Sequence, residues 1–372
     1  MKKILLVILV FTAYLGGLHA QNHGKDSSAL QISGSADLYY KYDFALSDTN
    51  KRAGTNPNPD YPNNILGNKL NELDFSMLNL KLKKKVGRTT FFSDLAFGAR
   101  SDYKSNNPQN SFKIQNLYLT YQFTNALSVT AGAMYKFQSF ERIASVDNFN
   151  YSMSKSYELT FANSFQRAGG IKLNYAFSDK VNWAIGLYNS VDARAADDGI
   201  ASLTGYWVSD FCTQLFIHPT NQLDISAAYW REGQIANGTH TNLQVKYSPS
   251  STVKLGVDGT IYSAKDSALG TSGTSFKSLV FYGQKALCKG YSVGVRYEYN
   301  ERTEKTFSDS YTTGYYNIYT LTSNVKLGPL SLKQEIMLEN TNKGNTNSLY
   351  HDKSGNRSFG ATQLVLAALY SF

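Results

Sequence analysis

The chain has 372 residues, is 42% hydrophobic and has a mean hydropathy of −0.34. That is too polar for a helical membrane protein and long enough for one large all-β domain or two ordinary ones. The formal charge is +9 with the basic residues scattered, which argues against a nucleic-acid partner, and two distant cysteines (Cys212, Cys288) with five dispersed histidines give neither a disulfide scaffold nor a metal-ligand spacing, so no cofactor is expected.

The chain opens on Met1-Lys2-Lys3, a mostly apolar run Ile4 to Leu15, and Gly16-Gly17-Leu18-His19-Ala20. This is the pattern of a secretory signal peptide over 1–20, leaving 21–372 as the exported domain. Without the leader lysines the charge is +7.

From residue 30 onward the pattern is alternation. Leu30, Ile32, Gly34, Ala36, Leu38, Tyr40 and Tyr42 form an apolar face against Gln31, Ser33, Ser35, Asp37, Tyr39 and Lys41. A polar stretch 43–71, with Asn-Pro-Asn-Pro-Asp, reads as a loop. The strand over 72–85 slips its alternation near Met77-Leu78, the mark of a bulge. Val86-Gly87-Arg88 turns, and 89–100 returns. After a second loop, 101–110, Leu117 to Phe123 and Leu127 to Phe137 form the clearest hairpin, through Thr124-Asn125-Ala126. A third long stretch, 138–166, precedes strands at 169–177 and 181–187. Further strands are predicted at 203–218, 222–231, 237–247, 252–263, 275–287, 291–302, 314–327, 330–341 and 358–372. In the last of them Leu364, Leu366, Ala368, Tyr370 and Phe372 share one apolar face, which suits a strand that closes a barrel antiparallel beside Leu30–Tyr42.

Short and long connections alternate through the whole chain. Short turns on one side and long loops on the other, with an even count of about 16 strands, describe an all-β transmembrane antiparallel barrel with periplasmic turns and extracellular loops. Aromatics are expected at both rims, with Phe123, Phe177, Trp183, Tyr247, Tyr291 and Phe372 near the turns and Tyr40, Tyr42, Tyr135, Phe137, Tyr262, Tyr297 and Tyr299 near the loops.

The polar face must line the interior. It carries the candidate pore-lining residues Lys136, Arg167, Lys172, Lys246, Lys254, Arg296, Glu298, Lys333 and Glu335, with Lys41, Asp37, Asp94, Asp224 and Asp258. A barrel this wide is not closed by side chains, so a water-filled lumen follows. Bases slightly outnumber acids there, so any selectivity should be weakly anionic. Such a pore leaks unless something narrows it. The stretch 138–166 is the candidate constriction, with Glu141, Arg142, Asp147, Asn148, Asn150 and Tyr151 as its functional residues; an ordinary surface loop is the alternative.

Three segments carry a family resemblance: Asp147-Asn-Phe-Asn-Tyr-Ser152, Gly169-Gly-Ile-Lys-Leu-Asn-Tyr-Ala-Phe-Ser-Asp-Lys180 and Ile185-Gly-Leu-Tyr-Asn-Ser-Val-Asp192. Together they resemble the OmpL-like β-barrel porins of Gram-negative bacteria, although Asn189-Ser-Val-Asp192 lacks the Gly and Trp of the family pattern. The Tyr- and Asn-rich composition is similar to that of Bacteroidota outer-membrane proteins. The resemblance implies an outer-membrane channel for passive diffusion of small hydrophilic solutes, embedded in lipid and lipopolysaccharide (LPS). General porins are commonly trimers, so a homotrimer is among the expected assemblies. By resemblance to other outer-membrane barrels, Tyr370 and Phe372 form the signal read by the barrel-assembly machinery.

Rival readings are a substrate-specific channel, for instance for sugars along an aromatic track of Tyr39, Trp230, Tyr282 and Tyr316, or a structural or adhesive barrel. An enzyme is disfavoured, because His218 lies beside a short turn and His240 and His351 have no companion constellation. Asp266-Ser267-Ala268 resembles a short O-glycosylation site.

Overall fold

The computed structural model describes residues 29–44, 73–98, 100, 112–154, 156, 167–189, 208–233, 238–264, 274–305, 311–341, 350–351, 357–358 and 360–372. The expected signal peptide, most of the first two long loops, residues 157–166, His351's side chain and Asp266-Ser267-Ala268 lie outside the described residues.

The strands are β1 (Gln31–Asp43), β2 (Leu73–Val86), β3 (Thr89–Phe97), β4 (Phe112–Gln122), β5 (Leu127–Tyr135), β6 (Arg167–Ser178), β7 (Val181–Asn189), β8 (Val208–Thr220), β9 (Leu223–Arg231), β10 (Gly238–Tyr247), β11 (Val253–Ala264), β12 (Thr274–Cys288), β13 (Tyr291–Lys305), β14 (Tyr311–Leu327) and β15 (Leu330–Thr341). A two-residue pair, β16 (Tyr350–His351) and β17 (Arg357–Ser358), precedes β18 (Gly360–Ser371). All but β16 and β17 form one closed barrel of 16 antiparallel strands, each beside its sequence neighbours. Closure is the physical point. It leaves no strand edge with unpaired N–H and C=O groups, which lipid could not satisfy.

The seam joins β1 to β18, with Leu38 opposite Ala368 and Tyr40 opposite Leu366. Gly34 and Phe372 exchange both backbone hydrogen bonds, each at 3.0 Å. A Cβ on Gly34 would stand 2.6 Å from the Phe372 ring, so a glycine there lets the ring lie over the seam.

Burial is reversed from that of a soluble domain. Leu38, Leu119, Ile171, Leu243, Ile261, Val295, Leu321 and Leu366 are exposed on the outer wall, while Asp37, Lys41, Gln214, Asn242, Arg296, Glu298 and Glu335 are buried inside. An apolar exterior around a polar interior fits lipid outside the barrel. Among the described residues no helix is long and apolar enough to cross a membrane.

Most predicted strands fall within a few residues of the observed ones. The slip in β2 is a bulge: Asp37 pairs with Met77 and Leu38 with Phe75, so Ser76 is extra. Both Ser76 and Met77 then face inward and are buried. β13 and β14 run longer than expected, shortening the connection between them to 306–310. Two-residue turns at Lys289-Gly290 and Gly328-Pro329 need positive φ at the glycine, 82° and 62°. Two rim assignments are corrected. Phe137 lies beyond the end of β5, where the chain has turned inward, and Tyr262 sits on the inner face of β11; both pack in the interior rather than in a girdle.

Candidate functional site

After Tyr135 the chain leaves the wall and enters the lumen. Its root is latched first. The Lys136 ammonium pairs with the Asp210 carboxylate and lies 4.4 Å from the centroid of the Trp230 ring. Phe137 meets the same ring edge-on at 5.6 Å. Gln138 N–H donates to Gln214 Oε1 at 2.8 Å, and Gln214 Nε2 returns a bond to the Gln138 carbonyl at 3.0 Å.

Beyond the root, two phenylalanines enter notches in the wall. A Cβ on Gly256 would collide with the Phe140 ring, and one on Gly294 with the Phe149 ring. Phe140 is also stacked on Tyr282, centroids 4.1 Å apart. Ring and wall approach this closely because neither glycine carries a side chain.

Charged clamps complete the attachment. Arg296 Nη1 is 3.1 Å from Glu141 Oε1, and Arg296 donates to the Ser152 carbonyl at 2.7 Å. Glu141 Oε2 accepts from the Ser154 backbone N–H at 2.7 Å and the Ser154 hydroxyl at 2.8 Å, tying one end of the segment to the other. Glu335 accepts from the N–H groups of Tyr151 and Ser152 at 2.9 and 3.1 Å. Lys333 donates to the carbonyls of Ser145 and Asn148 at 2.7 and 2.5 Å. The Ser145 hydroxyl, at the start of the 3-10 turn Ser145–Asp147, donates to Asp37. Arg100 donates to the carbonyls of Ile143 and Tyr151 at 2.5 and 3.0 Å. The irregular backbone is thus satisfied by inward side chains, the only setting in which such backbone is tolerated at membrane depth.

These partners sit on β1, β8, β13 and β15, with Arg100 just past the end of β3, so the segment is held at several separate points of the ring. Tyr151 is buried against Tyr39, Val365, Ala367 and Leu369. Burial, with the Asp37 carboxylate nearby, pushes the Tyr151 hydroxyl well above the ordinary tyrosine range, so it stays neutral.

The candidate loop residues come together here: Glu141, Asn150 and Tyr151 buried against the wall, Arg142 and Asp147 exposed to the remaining lumen, and Asn148 half-buried between them. Asp147 pairs with Lys81 on β2 at 3.0 Å. Of the candidate pore-lining residues, Lys136, Arg296, Glu298, Lys333 and Glu335 point inward but are buried under the segment. Lys172 and Lys246 are half-buried and Lys254 is exposed on the inner face, while Arg167's side chain lies outside the described residues. Tyr370 and Phe372 lie on the outer wall, 50% and 56% exposed. Sequence reasoning missed Arg100, Asp210, Gln214, Gly256 and Gly294. The signal for the glycines was present: each interrupts the inner face of a strand with a position that has no side chain.

On β9 to β12 the inner wall carries a ladder of rings, Trp230, His240, Tyr262 and Phe276, with successive centroids 4.5, 4.2 and 5.3 Å apart. His240 does have a companion, Glu232 at 3.7 Å, but both are buried. Among the described residues no three His, Cys, Asp or Glu side chains are grouped to hold a metal.

Residues 29–372 match the family described as Putative beta-barrel porin-2, OmpL-like. The chain belongs to this family. It is an outer-membrane porin, and the solved structures similar to it are outer-membrane channels. The outer-membrane channel DcaP of Acinetobacter baumannii is 14% identical, with a TM-score of 0.60 over 96% of this chain and 99% of that one. OmpT of Vibrio cholerae is 10% identical, TM-score 0.56, over 94% and 99%. An anion-selective porin from Comamonas acidovorans is 13% identical, TM-score 0.56, over 93% and 100%. At these identities the likeness is one of fold. No curated protein matches the chain.

Proposed function

We propose that this porin passes small hydrophilic solutes by diffusion, that the segment starting at 138 is its constriction, and that it is weakly anion-selective. The observation that carries the selectivity is an unequal use of charge. The inward carboxylates of Glu141, Glu298, Glu335, Asp37, Asp210 and Asp258 are buried, and most hold the segment or the wall together. Among the described residues the exposed ones are Asp147, paired with Lys81, and Asp224, bonded to His218, which offsets its charge only when protonated. Lys83, Arg142 and Lys254 stay exposed to the lumen. Water-accessible charge is therefore mainly basic, and a mobile anion is favoured beside it. The anion-selective porin of Comamonas acidovorans, similar in fold, is a precedent for the class.

A sugar-specific track is less well supported. Three of the four rings that would form it are covered: Tyr39 by Tyr151, Tyr282 by Phe140, and Trp230 by His240 and Phe137. The same reading leaves no catalytic role for the His240–Glu232 pair. A homotrimer is the assembly we favour, since OmpT of Vibrio cholerae, similar in fold, has a trimer form. LPS outside and the barrel-assembly machinery at Phe372 complete the proposed partners.

Two measurements on the refolded protein in planar bilayers test these points. Deleting 143–151 should raise single-channel conductance; unchanged conductance in a folded barrel would rule out the constriction. Reversal potentials in a KCl gradient should favour chloride, and a preference for potassium would sink the selectivity.

A further inference from the structure

The inner wall holds a recess at the short-turn end of β4 to β8. Strand register builds it from two rows of inward residues. One row runs Gln122, Ser128, Asn174 and Ala184 across four adjacent strands, and the next, two residues nearer the turns, runs Ala176, Asn182 and Phe216. The first row continues to Gln214, which holds the inserted segment at Gln138, so the recess lies beside the segment's root on the side of the short turns. Ala176 and Ala184 project too little to fill their places, and a cavity of about 210 Å³ is left among the amides. One water needs only about 10–15 Å³ of such space, so a small solute fits.

The lining is rich in unused hydrogen-bonding groups. Among the described residues the Asn174 and Asn182 amides and the Ser128 hydroxyl have no protein partner, and all three residues are half-buried. Gln122 directs its Nε2 to the Thr124 and Leu127 carbonyls, at 2.5 and 3.3 Å, which leaves its Oε1 to accept. No carboxylate, ammonium, guanidinium or imidazole lines the cavity. A side-chain amide offers two donors and an acceptor oxygen. A neutral hydroxyl donates to such an oxygen and accepts from such an N–H at once, so it satisfies the lining from both sides. An ion entering the recess gives up water without meeting an opposite charge. The Phe216 ring adds apolar surface for the C–H face of a solute.

We infer that this recess is a subsite for neutral polyhydroxylated solutes, sugars and polyols, bound through Asn174, Asn182 and Ser128. It is separate from the covered aromatic rings and from the charged clamps of the segment. It goes beyond the diffusion reading by giving passing solutes a stopping place, without making the pore specific. The recess opens on the lumen, so a bound solute exchanges quickly, as conduction requires.

The test is saturation-transfer NMR with glucose on the refolded barrel, in a detergent whose head group is not a sugar. Transfer to glucose should rise saturably with its concentration. Asn174→Ala and Asn182→Ala should each raise the half-saturating concentration about fivefold, the loss expected of one neutral hydrogen bond. The double variant should show no saturable transfer. Ser292→Ala, which removes an inward hydroxyl from the short-turn end of β13, seven strands from β6, should change nothing. Gluconate adds a carboxylate to a polyol and should bind no tighter than glucose. A preference for gluconate that Lys172→Gln abolishes would assign the recess to anions, through the next inward residue along β6, and overturn the neutral reading. No saturable transfer in a heat-modifiable barrel, or equal transfer in every variant, also overturns the subsite. Conductance is read separately in bilayers, so failure of the subsite leaves the diffusion reading standing, and a barrel that binds glucose without conducting does the reverse.

Discussion

Arg296, midway along β13, places Nη1 3.1 Å from Oε1 of Glu141, a residue that reaches it from the chain leaving β5. Wall and inserted segment are joined at this pair, with Glu298 2.7 Å from Arg296 Nε on the other side. Arg296→Met removes the donor and leaves both carboxylates buried. Losing one partner of a buried pair costs about 3–5 kcal/mol. The expected outcome is a loosened segment with larger, noisier single-channel conductance in a barrel that still migrates as heat-modifiable. Adding Glu141→Gln should recover part of the loss, and a folded Arg296→Met channel with ordinary conductance would count against the clamp.

The glycine notches make a second prediction. Gly256→Val sets a branched side chain where the Phe140 ring lies, and Gly294→Val does the same to Phe149. Overpacking of this kind costs about 1–3 kcal/mol. Each variant should unfold at lower temperature on heated gels, and Phe140→Ala should relieve Gly256→Val but not Gly294→Val. Equal relief of both would show that the rings are not seated separately.

Lys83 provides a test of selectivity. It faces Gln31 and Phe92 across its neighbouring strands, with no acid opposite. One charge in a water-filled pore is worth about 1 kcal/mol at contact. Lys83→Glu should therefore shift the chloride-to-potassium permeability ratio toward potassium by up to about fivefold. No shift in the reversal potential would remove Lys83 from the conducting path.

The seam makes a fourth. Phe372 exchanges two backbone bonds with Gly34, and its ring lies over the space where a Gly34 side chain would be. Deleting Phe372, or Gly34→Val, should lower the yield of heat-modifiable barrel several-fold and leave the conductance of the assembled fraction unaltered. Normal yield with altered conductance would reverse that assignment.

Much of the wall was legible in the sequence because alternation is local. Leu366 and Ala368 face out and Val365 and Ala367 face in by the pleat alone, whatever strand lies beside them. The bulge near Met77 was visible as a break in that rhythm, although its extra residue, Ser76, needed the pairing with β1. The inserted segment was legible only as an unusual stretch: Phe140 and Phe149 gain their meaning from Gly256 and Gly294, more than a hundred residues away.

The sequence by itself determined a closed, lipid-facing cylinder, since period-two hydrophobicity and sorted loop lengths leave no other way to satisfy the backbone in a membrane. Tertiary structure decided which inward charges reach water. Glu335 and Lys254 both lie on polar faces, yet one is buried beneath Tyr151 and Ser152 and the other is exposed. That difference comes from contacts between residues far apart in the chain, which no local pattern records.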